Sequence, residues 1–228
     1  MTEENGKPKR KIGVSDVVIF GGIVVAVIYS IWYFFLGPKV DIRVNDVQIS
    51  MRNTVQELID EGFVLCDVGG ETVGAGMNVR AKEIYSKHYY LGVPLYGKNA
   101  TNTGLELTLA NFGSADKELS QCSIYEIAYH PEFQKGATVL IGGEDMQGAD
   151  LDEWIVFFEK QGYPFKKEDL EKFRTGDKMI VFGKRGNYQF EGALDYHSKQ
   201  GPDRTLVYEY TFQSITFTRD IDVEYKKK

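Results

Sequence analysis

The sequence predicts an α+β protein: one N-terminal transmembrane helix, then an extracytoplasmic domain of two related units, each a short helix packed on an antiparallel sheet. Three observations carry this. From Val17 to Leu36 there are 20 residues without a charge, nearly all apolar, which is about the length that crosses a bilayer core as a helix. Beyond them β-rich alternation dominates, and the 14 Tyr and 14 Phe suit a strand-rich core. Two stretches, TVQELIDEGF (Thr54–Phe63) and DLDEWIVFFEKQGY (Asp150–Tyr163), repeat one pattern. Each has a capping residue, a Glu three places on, one apolar face and a Gly-aromatic stop.

The anchor comes first. Residues 1–13 form a basic tail with Lys7, Lys9, Arg10 and Lys11, and residues 14–36 form the spanning helix. A cleaved signal peptide would have a shorter apolar run ending in small residues. Here the run closes on Trp32, Tyr33, Phe34 and Phe35, which suit an interfacial belt. A pilin-like helix would carry a Glu just inside the run and continue outward, whereas here the only acid is Asp16 and Gly37-Pro38 ends the helix. The basic cluster outweighs Lys39 and Arg43, so the N-terminus is expected in the cytoplasm and the rest outside the cell membrane. Gly22, Ala26 and Ser30 recur every four residues, a small-residue face on which a second helix, including a second copy, could pack.

The first unit, residues 40–135, opens with VDIRVNDVQIS, whose alternation and Asn45-Asp46 turn predict a hairpin. Thr54 and Glu57 predict a capping box, with Val55, Leu58 and Ile59 on the apolar face. FVLCDV, HYYLGVPLYG, LELTLAN and LSQCSIYEIAYH read as strands. The second unit, residues 136–228, restarts with ATVLI. Its helix is capped by Asp150 and Glu153, with Leu151, Trp154, Ile155 and Phe158 as the apolar face, and four further strands follow.

Chemistry is sparse in this reading. A formal net charge of −6 argues against a general nucleic-acid binder. Gly69–Gly76 lacks the Lys-Ser/Thr of a phosphate loop and reads as a plain loop. His88, His130 and His197 lack ligand spacing. Gly142–Glu153 is acid-rich but breaks the calcium-loop pattern, and its acids suit a helix N-terminus. Asn99-Ala100-Thr101 is a glycosylation triplet by pattern alone. Cys66 and Cys122 are the only cysteines. An exported setting permits a disulfide between them, closing a loop of about 57 residues worth roughly 4 kcal/mol; two buried free thiols are the other reading. No cofactor, metal or catalytic constellation is expected.

VNDVQISMRNTVQELIDEGF and LELTLANFGSADKELSQCSIYEI resemble extracytoplasmic domains of uncharacterised membrane-anchored proteins and lipoproteins of Gram-positive bacteria. The likeness rests on Thr54–Phe63, on Leu109-Ala110-Asn111, on Cys122–Ile127, on the Gly162-Tyr163-Pro164 turn and on the strand Tyr208–Phe212. It implies a setting on the outer face of a Gram-positive cell membrane and carries no catalytic residue over. The expected function is therefore non-enzymatic: a single-pass binding or accessory protein that docks a membrane or cell-envelope partner. The rival readings are a cell-surface hydrolase of wall or peptide substrates and a structural subunit of a membrane complex.

Overall fold

A computed structural model describes residues 14–31, 41–95, 97, 99–161, 174–175, 178–185, 188–200, 202, 204 and 206–219. The chain divides into two compact units, Met1–Pro38 and Lys39–Lys228. The first contains helix α1 (Val14–Ile31). Its Ile19, Ile23, Val24, Val25, Val27 and Ile28 are all 41–67% exposed. At 1.5 Å per residue its 18 residues reach about 27 Å, short of a hydrocarbon core of about 30 Å. No helix among the described residues is long and apolar enough to cross a membrane. The expected span is therefore not reproduced there, and its residues 32–36 lie outside the description.

In the second unit the expected hairpin is present. β1 (Ile42–Val44) and β2 (Val47–Ile49) pair antiparallel around Asn45 and Asp46, both with positive φ (47° and 69°). Asn and Asp tolerate that conformation better than most side chains. Next comes helix α2 (Val55–Asp60), closed by the predicted capping box: Glu57 N–H donates to Thr54 Oγ1 (3.2 Å), and Thr54 N–H to Glu57 Oε2 (2.8 Å). Val55 and Leu58 are buried, but Ile59, expected beside them, is 37% exposed. A six-residue helix has too few turns to bury that side as well. Gly62 leaves the helix at φ +92°, where an L side chain would be strained.

Helix α3 (Leu151–Lys160) repeats the box, with Glu153 N–H to Asp150 Oδ1 at 2.9 Å and Asp150 N–H to Glu153 Oε2 at 2.8 Å. Its buried residues are Trp154, Phe157 and Phe158. Leu151 and Ile155 are only half-buried, so the apolar stripe is rotated toward Phe157 from the expected one.

Most of the remaining chain is one antiparallel eight-stranded sheet. In chain order its strands are β3 (Val64–Cys66), β5 (Glu83–Pro94), β6 (Ala100–Asn111), β8 (Ser123–Tyr129), β11 (Arg174–Thr175), β12 (Lys178–Arg185), β13 (Tyr188–Gln200) and β14 (Leu206–Arg219). In space the order is β11-β12-β13-β14-β8-β6-β5-β3. Two-residue strands β4 (Asn78–Val79) and β7 (Lys117–Glu118) pair separately, and β9 (Val139–Ile141) with β10 (Glu144–Asp145) extends the first hairpin as β10-β9-β1-β2.

This topology decides how the two helix-plus-strand stretches combine. The order of helix followed by antiparallel strands holds in each. But β14 pairs with β8, Ile215 opposite Tyr129 and Phe217 opposite Ile127, and β9 pairs with β1. Residues on both sides of position 135 therefore build the same two sheets. They also share one core, in which Ile42, Leu58 and Leu107 belong with Trp154, Phe158, Phe212 and Ile215. At its second end the core is aromatic, with Trp154 and Phe212 centroids 4.8 Å apart and Phe158 and Phe190 also 4.8 Å apart. The α+β class predicted from the sequence is the class observed.

Candidate functional site

Strand alternation gives β6 two different faces. Leu105, Leu107 and Leu109 enter the core with no exposed area, and Glu106 and Thr108 turn the other way. Antiparallel register then lines up a polar row on that outer face: His88 of β5 opposite Thr108, Thr108 opposite Glu126 of β8, and Glu126 opposite Thr218 of β14. Hydroxyls bridge it. Thr108 Oγ1 donates to Glu126 Oε1 (3.3 Å) and Thr218 Oγ1 to Glu126 Oε2 (2.9 Å).

Glu106 is the centre of the site. His88 Nδ1 lies 2.8 Å from its Oε1 and His130 Nε2 lies 3.1 Å from its Oε2. Tyr90 donates its hydroxyl to Oε2 at 3.1 Å. The Glu106 side chain is 19% exposed and that of His130 20%, whereas His88 is 53% exposed. An ionised carboxylate only accepts, so the facing nitrogens carry the protons: Nδ1 of His88 and Nε2 of His130. That leaves His88 Nε2 without its proton whenever the ring is neutral. Thr108 Oγ1, 3.2 Å from His88 Nδ1, can accept from that same N–H while it donates to Glu126.

The His130 hydrogen bond, helped by Tyr90 and opposed by burial, holds the Glu106 carboxyl below its ordinary range. Burial, reinforced by the charge of Glu106, pushes the Tyr90 phenol up to about 12. The resulting state is a carboxylate held by three donors.

A backbone device delivers His130. Gly104 has φ +77°, and a Cβ there would stand 2.5 Å from the His130 carbonyl oxygen. Its own carbonyl accepts the His130 N–H at 2.8 Å. Phe133, in the 3₁₀ turn Pro131–Phe133, then packs on the His130 ring (5.5 Å) and edge-on to Tyr90 (5.9 Å).

Beside Glu106 opens a groove of about 550 Å³ along β5, lined by Asp67, Val68, Val73, Met77, Lys87, His88, Tyr89, Tyr90 and Glu106. Its register is irregular here: two more residues separate Ile84 from His88 on β5 than separate Ala110 from Thr108 on β6. Such bulges bend a strand and re-aim its side chains. Tyr85 and Tyr89 consequently stack, 6.2 Å apart and within 5° of parallel. The Tyr85 hydroxyl goes to Met77 Sδ (3.7 Å). The Tyr89 hydroxyl is buried and makes no close hydrogen bond, its polar neighbour being Tyr85. Burial, with Tyr85 beside it, also raises the Tyr89 phenol.

The residues singled out from sequence lie elsewhere. Cys66 and Cys122 are both free and buried, so the disulfide alternative is not realised. Cys66 points to the Tyr90 carbonyl (3.4 Å) within a small cluster with Tyr90 and Ala100. Cys122 points to the Glu118 carbonyl (3.6 Å) at the edge of the main core. Burial raises both thiols, that of Cys66 to about 11, which makes them poor nucleophiles. Gly22 and Ala26 are exposed on α1, and a Cβ on Gly22 would meet open space; the side chain of Ser30 lies outside the description. His197 sits on β13, opposite Glu209 of β14, with its side chain also outside the description. In the acid-rich stretch, Asp150 and Glu153 are taken up by the helix cap. Among the described residues no group of three or more His, Cys, Asp or Glu is placed to hold a metal ion.

Sequence reading missed the gathering of His88 and His130 on Glu106. The available signal was an acid alone among leucines in LELTLAN, with His88 and Tyr90 two apart on the preceding strand. Comparison with known protein families, curated proteins and solved structures finds no match.

Proposed function

We propose that this chain is a single-pass, membrane-anchored binding or accessory protein of the cell membrane, with residues 14–36 as anchor and Lys39–Lys228 displayed outside the cell. The observation that carries the reading is α1. Every described side chain on it from Ile19 to Ile28 faces outward, and its aliphatic residues are exposed on all sides. A helix apolar all round needs an apolar surrounding, and a bilayer supplies one. The sequence extends that apolar run to Leu36 and places Lys7, Lys9, Arg10 and Lys11 before it, which favours a cytoplasmic N-terminus. Gly22, Ala26 and Ser30 would then be the face for a helix partner or a second copy. The resemblance to membrane-anchored proteins of Gram-positive bacteria belongs to the same proposal.

Binding rather than catalysis is supported by the outer unit. Its open groove is bordered by a carboxylate already held by three donors, and its two cysteines are buried with raised thiols. Two measurements test the reading. Alkaline carbonate should leave the full chain in the membrane pellet, and protease added to intact cells should remove the outer unit. Complete release by carbonate, or protection of the outer unit in intact cells with digestion only in lysed ones, would overturn it.

A further inference from the structure

We propose that the β5 groove captures an extended peptide segment, alternating apolar and basic residues, as an added strand on the open edge of β5. On one side β5 pairs with β6 along most of its length. On the other, β3 covers only Tyr90–Gly92. Among the described residues, Ile84–Tyr89 have no backbone partner on that second side. Leu65 gives its carbonyl to the Val73 N–H, away from β5, so Cys66 beside it faces β5 opposite Tyr90. Two residues from Tyr90, His88 turns its N–H and C=O to the same edge, past the point where the chain leaves β3 in the Asp67–Gly70 turn. Such a row of unpaired N–H and C=O groups is a template for another chain, and extended peptides are commonly held this way.

The surroundings of the edge set the occupant. Val73 and Met77 pack against the core, and Val68 at the rim is 72% exposed. Glu106 on the outer side and Asp67, exposed at the end of β3, outnumber Lys87. Side chains alternate across a strand, so apolar residues of the added strand meet the first wall and basic ones the carboxylates. A second copy paired edge to edge would set its own lysine against Lys87, a like-charge contact that disfavours it. The inference rests on the outer unit being a binding module. It does not involve the anchor, so its failure and that of the membrane reading are separable.

The test is fluorescence polarisation of the full chain in neutral detergent with the labelled, amidated pentapeptide Val-Lys-Val-Lys-Val and its Val-Glu-Val-Glu-Val counterpart. The lysine peptide should bind about tenfold or more tightly. N-methylation of one alternate set of its backbone nitrogens should weaken binding about tenfold by removing the ladder bonds, while the other set is tolerated. Amide hydrogen exchange should slow at His88 when the peptide is bound. Asp67→Asn should narrow the preference for lysine over glutamate about threefold at an unchanged melting temperature. Equal binding of the two peptides, tolerance of both methylated sets, or an undiminished preference in folded D67N would overturn the proposal. So would a peptide-free dimer already protected at His88, which would assign the edge to a second copy.

Discussion

Glu106 and Leu107 are neighbours on one strand, yet they belong to two different environments. Leu107 enters the apolar core shared by the whole Lys39–Lys228 unit. Glu106, one residue away, turns outward and collects two histidines and a tyrosine. The inner face is held by area removed from water, which is non-directional and tolerant of small adjustments. The outer face is held by directional contacts that fail singly if one partner is lost. The inner face should therefore dominate stability and the outer face should dominate pH response and recognition.

The largest expected effect tests the inner face. Trp154→Ala should cost about 3–5 kcal/mol, measured by urea unfolding, because its ring meets Phe157, Phe158 and Phe212. A loss under 1 kcal/mol would mean that α3 is not part of the core. Gly104→Ala comes next, at about 2–4 kcal/mol from left-handed backbone strain and the His130 carbonyl. It should also break the His130–Glu106 contact, seen as a changed His130 ring signal by NMR.

Glu106→Gln should cost about 1–3 kcal/mol at neutral pH. It should also flatten the acid limb of stability. Because the folded carboxyl lies below its ordinary value of 4.5, its contribution is complete above that value and is lost as pH falls through the depressed one. Wild type should therefore lose stability more steeply than E106Q below about pH 4.5, and parallel limbs would refute the depressed carboxyl. The smallest effect is Thr108→Val. It removes the hydroxyl between His88 and Glu126 and should cost about 0.5–1.5 kcal/mol, with the core unaltered by near-UV circular dichroism.

Local features proved readable and remote ones did not. Both capping boxes, the Asn45-Asp46 turn and the Gly62 stop appear where the sequence places them, because each is an interaction within four residues. The apolar faces were legible only in part. Ile59 is more exposed, and Phe157 more buried, than helical spacing suggested, since the packing partner decides which edge of a stripe is covered. The disulfide alternative failed for a related reason: the cysteine count does not say where strands put the sulfurs. For the candidate site, the polar residues of LELTLAN were visible, but their meeting with His88 and His130 depended on pairing across 18 and 24 positions.

The sequence alone determined the α+β class, the two capped helices, the abundance of strands and the apolar stretch of α1, because these follow from periodicity and local hydrogen bonding. Only the tertiary structure decided that both helix-plus-strand stretches share one core and one eight-stranded sheet. It also decided that a bulge in β5 and a left-handed glycine in β6 bring His88, Tyr90 and His130 onto Glu106. Register is the physical reason. Strand pairing joins residues far apart in the chain, and a shift of one position would send Glu106 to the opposite face.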